Sequence, residues 1–252
     1  MKSIVRNWEW DRPTIRLGIN TRKMFKNTTA LIFCFLIVLA GHAQNESEFF
    51  AQADTFFKTY VEDGRVDYNS IVKDPASLNS ILEIANGIEV SKENPTSYQA
   101  FWINGYNLLV IKSIVDNYPI RSPLDKAGFF DKDKHDIGGI QITLNDIEHK
   151  MLRAVFPEEP RFHFVLVCAG LGCPPIINQA YLPKTLEMQL EKQTSLALNN
   201  PEFIQVNKNN VKISQIFEWY KGDFTKEGKN LIDFLNQYSS EKLRQMVNIS
   251  FY

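Results

Sequence analysis

Hydrophobic residues at helical spacing dominate the chain from residue 47 onwards. Residues 47–61 (SEFFAQADTFFKTYV) and 76–86 place apolar side chains on one face of a helix. Residues 97–117 (SYQAFWINGYNLLVIKSIVDN) are apolar almost all round, which is typical of a helix that other elements surround. This stretch is therefore predicted to be the central, buried helix.

Shorter patterns between the long helices predict a small sheet. The Gly-Gly pair within residues 137–144 and the Asn-Asn pair within residues 203–214 each predict a β-hairpin. Residues 161–169 (RFHFVLVCA) are β-branched and aromatic, so they are predicted to form a core strand. Further helices are predicted over residues 143–156, 183–198, 214–222, 225–237 and 240–247.

The organisation of these elements predicts a single α+β domain over residues 44–252. No linker or repeat interrupts this segment, and its length suffices to bury a core without help from disulfides or metals. The predicted architecture is a central buried helix that packs on a small, mostly antiparallel sheet and is surrounded by helices.

The N-terminal segment has the order of a secretory signal peptide. Residues 30–40 (ALIFCFLIVLA) are apolar and uncharged, basic residues precede them, and small residues follow. The run is shorter than the ~20 residues that a membrane span needs. The alternative to a signal peptide is a short buried helix. We expect translation to start at Met24, cleavage to occur near Ala43, and the mature protein to be periplasmic or secreted with no membrane span.

Charge and cysteine content narrow the classes of function. The net charge is -1 and no cluster of Lys and Arg follows the N-terminus, which argues against a nucleic-acid partner. Removal of residues 1–43 takes away seven basic and two acidic residues, so the mature charge becomes −6. Of the three cysteines, the mature chain keeps Cys168 and Cys173.

These two cysteines and the nearby His163 allow four interpretations. They are core packing, a Cys168–Cys173 disulfide, a catalytic pair of Cys173 and His163, or a zinc site that also uses His149. Along a strand, His163 and Cys168 would point to opposite faces. Cys173 precedes Pro174, so it is placed to cap a helical turn, where free N–H groups stabilise a thiolate.

Other polar residues stand at positions that need partners. Asn104 and Asn107 share a face of the apolar helix, where they either tie a neighbouring loop to it or orient a catalytic group. Glu148 and His149 are adjacent in a helix, so they point about 100° apart. Arg161 is placed to clamp a carboxylate of Glu159 or of a substrate.

Four stretches together resemble the DUF547 family, a domain of unknown function found in bacteria and plants. They are FWINGYNLLVI, LNDIEHKMLR, PRFHFVLVCAGLGCPPI and IFEWYKGDF, and the resemblance spans about Gly64 to Phe224. It implies a shared fold and a shared pocket, but no activity. The residues that match the motifs are Asn104, Tyr106, Asn107, Glu148, His149, Arg161, His163, Cys168, Cys173, Trp219, Tyr220 and Asp223. Glu159-Pro160 departs from the expected Asp-Pro but keeps the carboxylate.

The order of helix, histidine strand and aspartate is loosely like that of papain and transglutaminase folds. In those folds the nucleophilic cysteine heads the central helix, whereas this helix carries Asn104 and no cysteine. Asp223 would orient His163 as the third member of a Cys-His-Asp arrangement. The comparison concerns architecture and does not carry function.

Two functional hypotheses follow. The first is a thiol-dependent hydrolase or acyltransferase on a peptide or amide bond, with Cys173 as nucleophile, His163 as base and Asp223 as its partner. The second is a non-catalytic periplasmic binding or assembly module with a structural Cys/His/Asn cluster. Under either hypothesis we expect the protein to take a small-molecule, peptide or cell-envelope substrate and to need no cofactor or metal. The supporting residues would be Asn104, Asn107, Glu148, His149, Arg161, Cys168 and Trp219.

Overall fold

Helices form most of the regular structure in the computed structural model, which describes residues 44–170, 173–201, 203–228 and 230–252. The α-helices are α1 (44–60), α2 (Tyr68–Lys73), α3 (Ala76–Asn86), α4 (Pro95–Asp116), α5 (Leu144–Asp146), α6 (Leu186–Leu198), α7 (Ile216–Trp219), α8 (Lys221–Phe224) and α9 (Leu231–Tyr238). A π-helix spans Ile147–Arg153, and 3₁₀ helices span Pro123–Asp125, Pro160–Phe164 and Lys226–Gly228.

The strands form small separate sheets. They are β1 (Val61–Glu62), β2 (Arg65–Val66), β3 (Lys134–Ile137), β4 (Ile140–Thr143), β5 (Ile204–Asn207), β6 (Asn210–Ile213) and β7 (Asn248–Phe251). The pairs β1–β2, β3–β4 and β5–β6 are antiparallel, and β7 joins β6 in parallel. Both predicted hairpins are present, and the predicted α+β class with a small, mostly antiparallel sheet content is confirmed.

Helix α4 is the buried centre of the domain. The side chain of Asn94 accepts a hydrogen bond from the backbone of Ser97, and Pro95 occupies the first turn, so the helix begins at Pro95. Its residues are buried almost without interruption from Ser97 to Ile114. At Gly105 an added Cβ would lie 2.5 Å from Cδ1 of Ile137, so the glycine permits β3 to pack closely against the helix.

The strand predicted over residues 161–169 is wrong. Residues Pro160–Phe164 form a 3₁₀ helix, and no ladder follows them. The helix is favoured because Pro160 sits in its first turn and the side chain of Glu159 accepts a hydrogen bond from the backbone of Arg161. His163 and Cys168 are therefore not on opposite faces of a strand.

The C-terminal prediction also needs correction. The helix predicted over 214–222 is two short helices, α7 and α8, and Gly222 lies inside α8 instead of ending a helix. The helix predicted over 225–237 begins at Leu231, because Asn230 and Asp233 form a capping box there. The helix predicted over 240–247 is absent from this described segment, where the backbone N–H groups of Ser240 and Leu243 donate to the side-chain oxygens of Asn199 and Asn236 instead.

The predicted signal peptide lies within residues 1–43, outside the described residues. Across the ranges that the structure describes, no helix is both long and apolar enough to cross a membrane.

Candidate functional site

The two asparagines of α4 are structural clamps. Asn104 Nδ2 donates to the carbonyl oxygen of Tyr181 at 2.7 Å, and Asn104 Oδ1 accepts from the backbone N–H of Tyr181 at 2.9 Å. Asn107 Nδ2 donates to the oxygen of Val165, and its Oδ1 accepts from the N–H of Val167, both at 3.0 Å. Each amide thus satisfies buried backbone groups as a neighbouring strand would. Of the two roles predicted for Asn104 and Asn107, the structure shows the first, in which they tie neighbouring loops to α4.

Cys168 and Cys173 form a disulfide, with Cα atoms 6.1 Å apart. The backbone N–H of Cys173 donates to the oxygen of Gly170, so the chain turns back at Cys173, but Pro174 starts no helical turn. The prediction of Cys173 as a nucleophile is wrong for this state, because a disulfide sulfur is not a thiolate. The zinc alternative fails for the same reason, and within the described residues no three His, Cys, Asp or Glu side chains are placed to hold one metal ion.

His163 and Asp223 do come together, and Arg153 and His149 extend the cluster. Asp223 Oδ2 accepts from His163 Nε2 at 2.9 Å and from Arg153 Nε at 2.7 Å. Arg153 Nη1 lies 2.6 Å from His149 Nδ1. Because arginine only donates, Nδ1 of His149 accepts, which assigns the ring proton to Nε2. We call these four residues together with Glu148 and Tyr220 the polar cluster.

Asp223 is the negative centre of the polar cluster. Burial by itself raises the pKa of its carboxyl group, but the hydrogen bonds from His163 and Arg153 and the charge of Arg153 outweigh burial. The pKa of Asp223 is therefore held far below its usual range. The side chain of His163 is only 4% exposed and that of Asp223 is 18% exposed, so the pair is poorly screened by solvent.

Tyr220 covers the charged groups. Its ring centroid lies 4.0 Å from that of His163, and Arg153 Cζ lies 4.7 Å from the Tyr220 centroid, a cation–π contact. Burial raises the pKa of Tyr220 strongly, and the negative charge of Glu148 raises it further. Burial and Glu148 likewise raise the pKa of Tyr106. Both phenols are therefore neutral at physiological pH.

Glu148 has an unmet hydrogen-bonding requirement. Its Oε1 is buried and has no hydrogen-bond partner among the residues that the structure describes. Oε1 lies 3.9 Å from His149 Nδ1, so Glu148 and His149 meet in the polar cluster although adjacent helical residues were expected to point apart. They lie in a π-helix, whose wider turn differs from the α-helix on which that expectation rested.

Arg161 clamps carboxylates within the protein, as predicted for Glu159. Its guanidinium donates to both oxygens of Glu159 and to both oxygens of Glu187. It lines a cleft with a volume of about 480 Å³. Asp223 also lines this cleft, so the polar cluster and the cleft share one residue. The carboxylates along the cleft are those of Glu158, Glu159, Glu187, Glu191, Asp223 and Asp233.

The positions of Trp219 and Arg153 relative to the polar cluster differ from what their sequence context indicates. Trp219 is 66% exposed on α7, next to the polar cluster in sequence but with its ring largely in solvent. Arg153 was not among the predicted site residues, but it bridges His149 and Asp223. The spacing of four residues between His149 and Arg153 was the available signal for that contact.

Residues 90–196 match the family model described as "Protein of unknown function, DUF547". The match confirms the resemblance over this range, which includes Asn104, Glu148, His163 and both cysteines, whereas residues 219–223 lie beyond it. No curated protein and no solved structure matches the chain.

Proposed function

We propose that this chain, whose residues 90–196 match the DUF547 family model, is an exported, non-catalytic binding module. Its ligand carries cationic or N–H donor groups. Amine-bearing peptides and cell-envelope components belong to this class. The observation that carries the proposal is the buried Oε1 of Glu148, which has no hydrogen-bond partner among the residues that the structure describes.

The unmet group in the polar cluster is an acceptor. Arg153 donates to Asp223 and to His149, and His163 donates to Asp223. A buried polar atom without a partner costs about 1–3 kcal/mol. A ligand that supplies an ammonium or N–H group to Glu148 recovers this cost, whereas a ligand carboxylate would meet Glu148 and Asp223 as like charges.

The neighbouring cleft also favours a positively charged ligand. Six carboxylates line it, against two cations, Arg161 and Lys226. Arg161 is already bound to Glu159 and Glu187, and Lys226 donates to the carbonyl oxygen of Pro157. Clefts lined mainly by one sign of charge focus the field and raise the local concentration of the opposite charge. The mature charge of −6 acts in the same direction.

The disulfide favours binding over the thiol hydrolase hypothesis. The hydrolase needs a thiolate at Cys173, and Cys173 is bonded to Cys168. The two asparagines that would have oriented a catalytic imidazole hold the backbone of residues 165–167 and 181 instead.

Titration calorimetry with trilysine as the probe tests the ligand class. We expect Glu148→Gln to weaken trilysine binding at least tenfold, because the substitution removes the charge and the ionised acceptor. Glu83→Gln makes the same chemical change at an exposed position of α3 and should leave the affinity unchanged. Trilysine with its amines acetylated should bind much more weakly. Equal binding of both peptides, or an unaffected Glu148→Gln variant, would overturn the proposal.

Export rests on the apolar run of residues 30–40 and its basic and small flanks. Expressed from Met24 in a bacterial host, the protein should be recovered from the periplasm with an N-terminus near Gln44. N-terminal sequencing of that fraction gives the answer. An intact N-terminus on a cytoplasmic product would contradict export and leave the binding proposal untouched.

A further inference from the structure

The Cys168–Cys173 pair lies in a loop that is held at both ends by other contacts. We infer that it is a redox-active centre, which exchanges electrons with thiols while the domain stays folded. This activity is independent of ligand binding at the polar cluster. It follows from which contacts hold the loop and from how exposed the cysteines are.

Side-chain clamps fix the chain immediately before the disulfide. Asn107 binds the backbone of both Val165 and Val167, and Val167 is the residue next to Cys168. Both valines are buried. This attachment to α4 is formed without either sulfur, so cleavage of the disulfide leaves it in place.

The chain after the disulfide is fixed just as firmly. Asn104 binds both backbone groups of Tyr181, and Asp54 accepts a hydrogen bond from the N–H of Ala180 at 3.1 Å. Gln189 donates to the oxygen of Ala180 and accepts from the N–H of Leu182. The disulfide is therefore not required to close this part of the fold.

The described part of the turn between the cysteines is accessible. Cys168 and Cys173 are each partly exposed, and Ala169 and Gly170 are exposed. Ala169 adopts a φ of 53°, in the left-handed region that disfavours residues other than glycine and asparagine. Opening of the disulfide frees this residue to leave that conformation, so the turn has a local reason to relax on reduction.

The exchange step is a balanced two-electron reaction with a thiol as reductant. A thiolate attacks one cysteine sulfur, the S–S bond breaks, and the other cysteine leaves as a thiolate. A second thiolate then attacks the mixed disulfide, which releases an oxidised disulfide of the reductant and leaves both protein cysteines reduced. The reverse sequence reoxidises the pair.

Kinetics of reduction by glutathione distinguish exchange in the folded protein from exchange after unfolding. The experiment uses the full chain with Cys34→Ser, so that alkylation and mass spectrometry count only the two cysteines of interest. We expect a rate proportional to the glutathione concentration and within about tenfold of the rate in denaturant, with the near-UV circular dichroism retained. Cys168→Ser and Cys173→Ser should each form a mixed disulfide on the remaining cysteine when treated with oxidised glutathione, and one reduced glutathione leaves.

Two results would overturn the inference. A rate that stops rising with glutathione concentration would show that reduction waits for the fold to open. Loss of the near-UV signal in step with reduction would show that the disulfide holds the domain together. Neither result bears on trilysine binding at Glu148, so this inference and the proposed function fail separately.

Discussion

Asp223→Asn should lower the free energy of unfolding by about 3 kcal/mol at pH 7, because it breaks a poorly solvated charge pair from one side. The substitution keeps the shape of the side chain but leaves Arg153 without its carboxylate and His163 with a weaker acceptor. Urea denaturation followed by circular dichroism measures the difference. Asp131→Asn makes the same change on an exposed side chain and should alter stability by less than about 0.5 kcal/mol.

The pH dependence of that difference gives a sharper test. The pKa of Asp223 is lower in the folded protein than in the unfolded chain, where an aspartate titrates near ~3.9. Its contribution is therefore fully present above the unfolded pKa and is lost as the pH falls through that value towards the folded pKa. The stability gap between the wild type and Asp223→Asn should shrink between pH 5 and pH 3. A gap that stays constant over this range would contradict the charge-pair explanation.

The parts of the fold that sequence could predict depend on local patterns. Helix α3 spans the predicted residues, and α4 differs by two residues at its start because Asn94 and Pro95 provide an earlier beginning. The hairpins were predicted from Gly138-Gly139 and from the Asn209-Asn210 pair, and the second turn lies one residue earlier, at residues 208–209. In each case the signal and the element occupy the same short segment.

The parts that sequence could not predict depend on distant partners. Residues 161–169 have the composition of a buried strand, and a short apolar run does not reveal whether a strand or a side chain will satisfy its backbone. Here the partner is Asn107, 58 residues before Val165. The contact of Arg153 with Asp223 joins residues 70 positions apart. The disulfide was one of four alternatives, because spacing alone does not give the geometry of the turn.

The Asn107 clamp explains how an irregular segment is stable in the core, and its removal should be costly. Asn107→Leu keeps the volume of the side chain approximately but leaves two buried backbone groups, the oxygen of Val165 and the N–H of Val167, without their partner. Each such group costs about 1–3 kcal/mol, so we expect a loss of about 2–6 kcal/mol in the free energy of unfolding.

Asn79→Leu is the matched control, since Asn79 is an exposed residue of α3 and the same substitution there removes no buried contact. Its effect should stay within about 0.5 kcal/mol. Hydrogen exchange then localises the effect of Asn107→Leu: protection of the Val167 amide should fall more than that of Tyr181, whose amide is bound by Asn104. If Asn107→Leu instead unfolds no more readily than Asn79→Leu, and Val167 keeps its protection, then residues 165–167 are held by packing and the amide is dispensable.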